Sequence, residues 1–179
     1  MQRNAVEMVS LIRKDASDLN TLWHRLVRYW MPILGWMILI FAGSTDALSA
    51  EHTSRFLVPF LRWMDPGISL HALATIHFVL RKLGHFTEYA ILAALLWRAL
   101  KVTLISRGNA AIAAIAFFGA AMFATSDEFH QSFIPTRTAS AHDVAIDCIG
   151  ALVAVLICAM FAARRKQGVA PSPQMKKWA

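Results

Sequence analysis

The chain has 179 residues, enough for one domain or one small bundle. Hydrophobic residues make up 57% and charged residues only 16%, where a soluble domain carries about a quarter charged; with a mean hydropathy of +0.48 this argues for a bilayer as solvent. The net charge of +7 is not a nucleic-acid signal, because the basic residues gather at the ends of an apolar chain and no basic face with interleaved aromatics is visible.

Residues 1–28 read as a basic cytoplasmic arm carrying Arg3, Arg13, Lys14, Arg25 and Arg28. A cleavable signal peptide is not expected, since the first apolar run opens only near Tyr29, behind this polar arm. A spanning helix needs about 20 mostly apolar residues, and four segments between 29 and 163 approach that length. They are roughly Tyr29–Ala47, Leu83–Ile105, Ala110–Ser126 and Asp143–Ala163. Residues 68–80, with His71 and His77, are too polar and short for a span and read as an interfacial helix leading into the second. Residues 164–179 form a basic cytoplasmic tail. The expected fold is therefore all-α, an integral membrane bundle of four transmembrane helices. Cys148 and Cys158 both fall in the last apolar run; ten residues apart on one helix they sit about 15 Å apart and cannot pair.

Lysine and arginine density sets the expected orientation. The arm, the 98–109 connection (Arg98, Lys101, Arg107) and the tail are rich in basic residues, whereas the 127–142 loop holds only Arg137. Both termini are then cytoplasmic in an inner-membrane protein, and the 127–142 loop faces outward.

Against this background the polar residues stand out. Ser126-Asp127-Glu128-Phe129-His130-Gln131, Pro135-Thr136-Arg137 and Asp143 with Asp147 lie between two apolar runs, and Arg81-Lys82-Leu83-Gly84-His85-Phe86-Thr87-Glu88-Tyr89 opens another. A charge near hydrocarbon costs several kcal/mol unless paired or hydrated, so such residues point to function. Helical spacing groups them: His85, Glu88 and Tyr89 on one face, Asp127, His130 and Gln131 on a second, Asp143, Asp147, Gly150, Ala151 and Ala154 on a third. Ala116, Ala120 and Ala124 lead along a small-residue stripe to Glu128, and such stripes let helices approach closely in lipid. Counting along the helices brings all three polar groups to one depth, at the outer mouth. Interhelical hydrogen bonding alone, worth about 0.6 kcal/mol per contact, is a poor reason for so many ionisable groups at one level.

These segments resemble the signature of the VanZ-like family of small bacterial membrane proteins. The carrying residues are Lys82, His85, Glu88 and Tyr89, the run 126–131, Pro135 with Arg137, and Asp143, Asp147 and Gly150. The resemblance covers residues 79–156 well and the first span loosely. The family's namesake is linked to low-level teicoplanin resistance, so the resemblance implies a role at the cell envelope.

The expected function is binding of an anionic or lipid-linked cell-envelope ligand, such as a lipid-linked peptidoglycan precursor, among membrane lipids. The binding residues are Lys82, His85, Glu88, Tyr89, Asp127, Glu128, His130, Gln131, Arg137, Asp143 and Asp147, with Arg137 as bidentate anion anchor and Lys82 in support. No catalytic residue, metal ligand or cofactor is assigned. The competing expectation is an intramembrane metal-dependent hydrolase or transferase: the histidines and carboxylates would suffice as ligands, but no His-Glu-x-x-His spacing is present. A proton relay or transporter fits less well, because spans three and four are apolar below the cluster.

Overall fold

The computed structural model describes residues 19–45, 50–134 and 140–168, with side chains omitted at 50–53 and 166–168. The described residues form α1 (Leu19–Gly43), α2 (Ala50–Met64), α3 (Leu70–Thr103), α4 (Asn109–Gln131) and α5 (Ala141–Gly168). Arg137, with the rest of residues 135–139, lies outside the described residues.

α1 already runs from Leu19, ten residues before the first apolar run begins, and contains a π-helical stretch, Leu26–Trp30, just ahead of Pro32. Proline has no N–H to give the carbonyl four residues back, which is that of Arg28. The Arg98 guanidinium on α3 donates to that carbonyl at 2.7 Å instead and lies 5.0 Å from the Tyr29 ring centroid. The backbone defect thus becomes a tie between α1 and α3.

The interior is built by α3, α4 and α5, with α3 and α5 packing most extensively. Ile112, Ala116, Ala120 and Ala124 of α4 are all completely buried, so the small-residue stripe faces the core. Tyr89, Leu92 and Ala93 of α3 and Ala151 and Val155 of α5 close the interior, and Ile33 and Ile40 of α1 pack against it. The periphery is the reverse of a soluble protein. Leu34, Ile38, Phe118, Met122, Leu152, Met160 and Phe161 are exposed, while His85, Asp127, Glu128, Gln131, Asp143 and Asp147 are buried. With lipid as the surroundings this is the economical arrangement, since polar groups must find partners inside the protein.

Among the described residues, three helices are long and apolar enough to cross a membrane: Leu19–Gly43, Asn109–Gln131 and Ala141–Arg165. The expectation of four spans is met for these three. α3, which holds the remaining expected span, is the longest helix, 34 residues or about 51 Å, but Arg81, Lys82, Glu88, Arg98 and Lys101 dilute its apolar character.

The region 48–82 departs from expectation. Residues 68–80 do run into the second apolar segment as one continuous helix, capped by Ser69, whose hydroxyl accepts from the Ala72 N–H at 3.1 Å. A separate helix, α2, precedes it where no element was expected. Its pattern is amphipathic, with Pro59 inside and Phe56, Phe60, Trp63 and Met64 exposed. Its apolar stretch from Phe56 to Leu61 is too short to stand out in a search for runs of about 20 apolar residues.

Candidate functional site

Three helix ends and one helix middle meet at the polar level. α4 arrives with Asp127, Glu128 and Gln131 in its last turns, α5 departs with Asp143 and Asp147 in its first two, and α3 crosses between them at Arg81–Tyr89. What lets α3 and α5 meet is Gly150: a Cβ there would lie 2.2 Å from the Phe86 carbonyl oxygen, next to His85.

The outer layer is a cation pair on one carboxylate. Arg81 Nη2 lies 3.3 Å from Asp143 Oδ2, and Lys82 Nζ bonds to Asp143 Oδ1. Asp143 is buried while both cations are partly exposed, so this layer carries one excess positive charge. Lys82 also sits 5.1 Å from the Phe78 ring centroid. Beside it, α2 and the first turns of α3 form an open apolar groove of about 450 Å³, lined by Leu57, Leu61, Leu73, His77, Phe78 and Arg81.

One helical turn deeper, His85 and Asp147 face each other, Nδ1 to Oδ1 at 3.4 Å. Each follows a rim residue by four, Arg81 and Asp143 respectively, which on a helix means one turn along the same face. Glu128 joins them from α4: one carboxylate oxygen accepts from the Ser140 N–H at 2.9 Å. That donor stands at the start of α5, where Ser140 Oγ accepts from the His142 N–H at 3.2 Å, so the carboxylate also meets the positive end of a helix.

The third layer reaches α1. Ser44 Oγ donates to Asp127 Oδ2 at 2.6 Å, and Gln131 Nε2 donates to the same oxygen at 3.1 Å and to Ser44 Oγ at 3.2 Å. Tyr89 is fully buried, with its ring tilted 6.2 Å from that of Phe123.

Of the expected site residues, the structure thus gathers Lys82, His85, Tyr89, Asp127, Glu128, Gln131, Asp143 and Asp147 at one end of the bundle. His130 stacks on Phe41 of α1 at 4.3 Å, and Glu88 is half-buried one turn after His85, with its backbone carbonyl accepting from Trp36 Nε1 at 2.9 Å. Arg137 cannot be located among the described residues. Ser44 and the Ser140 backbone were not anticipated, and Arg81, though part of the polar run around His85, was not named among the binding residues. Arg81 could have been, because it lies four residues before His85, on the same helical face. Ser44 carried no such signal, since nothing local to Gly43-Ser44-Thr45 predicts a meeting with α4.

A family model described as VanZ/LLP1 matches residues 29–162, well over half of the chain. The chain belongs to that family. No curated protein and no solved structure matches it.

Proposed function

From that family membership we propose that this membrane protein binds an anionic, lipid-linked cell-envelope ligand at the polar end of its bundle. The observation that carries this reading is the rim: Arg81 and Lys82 share Asp143, and Arg81 also lines an open apolar groove. Two cations on one carboxylate leave positive charge for a phosphate, and hydrogen bonds to charged groups are the strong ones. The groove suits the apolar chain of the same molecule. Arg137, from the adjoining loop, serves as a further phosphate fork.

In this reading α3 is a fourth span, crossing with its Leu83–Ile105 portion, and the site faces outward in the inner membrane. The supporting observation is the sharing of ends: Arg28 and Trp30 of α1 contact Arg98 and Thr103 of α3, and Lys101 bonds to Asn109 at the start of α4. Arg164 and Arg165, late in α5, belong to that same end, because α5 starts beside the end of α4. A positive end lies inside. An outward site that engages a lipid-linked peptidoglycan precursor would alter the target of glycopeptides, which is how a contribution to teicoplanin resistance would arise.

The test compares a polyprenyl phosphate with the corresponding polyprenol, binding each to the purified full-length protein in detergent. The phosphate should bind at least about tenfold more tightly, and the Arg81→Ala/Lys82→Ala double variant should lose that preference. Equal affinities for phosphate and alcohol in the wild type would overturn the reading.

A further inference from the structure

We infer that His85, Glu128 and Asp147 form a binding site for a divalent first-row transition-metal ion, one turn below the cationic rim. One donor atom from each lies within 4.8 Å of the others, and all three residues are buried. They come from three different helices, so the tertiary fold and not a local turn brings them together.

Two observations separate this cluster from an ordinary buried ion pair. The first is the orphaned donors. His85 Nδ1, Glu128 Oε1 and both oxygens of Asp147 are buried without a hydrogen-bond partner among the described residues, and the Asp147 side chain is only 1% exposed. A buried carboxylate with neither oxygen hydrogen-bonded and only a long contact to one imidazole is expensive, whereas as a metal ligand it is fully used. The second is the spacing. At 3.4 Å, His85 Nδ1 and Asp147 Oδ1 are too far apart for a good N–H···O bond, which clusters near 2.9–3.0 Å. Two ligand atoms each about 2.1 Å from a tetrahedral ion stand about 3.4 Å from one another.

Glu128 is prepared for the same role. The Ser140 N–H holds one of its oxygens at 2.9 Å, which orients the carboxylate and leaves Oε1 as the donor. Metal-ligating carboxylates are held by hydrogen bonds of this kind. One imidazole with two carboxylates suits Zn²⁺ or Mn²⁺ rather than a site that selects for softer ions, since no thiolate takes part. Three protein donors leave a coordination position open to water or to an oxygen of a ligand, the pattern of catalytic rather than structural zinc sites.

The inference stands apart from the anion reading, because the rim could fail to bind phosphate while the ion still binds. The experiment is titration of the metal-stripped, purified full-length protein with Zn²⁺, followed by X-ray absorption of the zinc-loaded wild type. One ion per chain is expected, in a shell of light atoms that includes one imidazole. His85→Gln, Glu128→Gln and Asp147→Asn should each weaken binding by about tenfold or more, whereas Ser126→Ala, whose exposed hydroxyl donates to the Phe123 carbonyl, should not. Folded wild type that takes up no Zn²⁺ would sink the inference, as would folded variants that bind it unchanged. Where a variant does not fold, the wild-type spectrum decides: sulfur in the shell would put the ion on Cys148 or Cys158 and overturn the assignment.

Discussion

Replacing Gly150 by alanine tests whether close approach of α3 and α5 builds the site. The added methyl would meet the Phe86 carbonyl oxygen at 2.2 Å, its carbon at 3.0 Å and the Phe86 Cα at 3.2 Å. These are backbone atoms of a helix interior, so no rotamer change relieves the clash. Ordinary contact begins near 3.4 Å, so the helices must part by about an ångström. His85 is the neighbour of Phe86, and Asp147 stands one turn before Gly150; their 3.4 Å separation would then open past 4 Å. Overpacking of this kind costs about 1–3 kcal/mol. Helix propensity works in the opposite direction and favours alanine by up to about 1 kcal/mol, so a net loss reports the clash itself. The assay is thermal unfolding in detergent followed by circular dichroism, with Gly119→Ala as the matched control. At Gly119 the methyl would meet only Leu96 Cδ1 at 3.5 Å, an ordinary contact. A drop of several degrees is expected for Gly150→Ala and none for Gly119→Ala. Equal melting temperatures for the two variants would refute the reasoning.

Ser44→Ala should cost about 1–2 kcal/mol, because buried Asp127 Oδ2 then keeps only the Gln131 donor; unfolding in detergent measures it, and Zn²⁺ binding should be unaffected. Cysteines introduced at Ala141 and Gly108, in a chain with Cys148 and Cys158 replaced, should label from outside and inside respectively in intact cells. Labelling of Gly108→Cys from outside would reverse the orientation. Binding of a polyprenyl phosphate should weaken as salt rises, since Arg81 and Lys82 are both partly exposed to screening. Salt-independent binding would point to the apolar groove alone.

How far the fold could be read from the sequence depended on how continuous each apolar run is. α4 and α5 are apolar over nearly their whole lengths, so their spans were visible at once, and the alanine stripe correctly named the face of α4 that is buried. α1 was read short because Arg25 and Arg28 interrupt its start, yet a helix tolerates arginines that extend along its surface. α2 was missed altogether. Its apolar stretch, Phe56 to Leu61 around Pro59, is far too short for a span, its first turns are polar, and Pro59 argues locally against a helix.

The site was legible as a set of residues but not as an arrangement. A membrane chain exposes its intended interior through its polar residues, because these are the ones that cannot face lipid. That logic found His85, Asp127, Glu128, Asp143 and Asp147 without any knowledge of contacts, and all five are buried together. It could not rank them, since partnership is a tertiary property. Asp143 is paired with two cations and Asp127 accepts from two neutral donors, while Asp147 faces only His85, at 3.4 Å, with neither oxygen hydrogen-bonded. Nothing in the four-residue spacing of Asp143 and Asp147 distinguishes the acid held by two cations from the one that faces a histidine. The distinction comes from where α3 crosses: Lys82 falls beside Asp143, and three residues later, one turn on, the residue offered to Asp147 is a histidine, a group that can donate a proton or ligate a metal. The chemistry of this bundle is therefore written in the register between α3 and α5, and Gly150 is the residue that sets how closely that register is read.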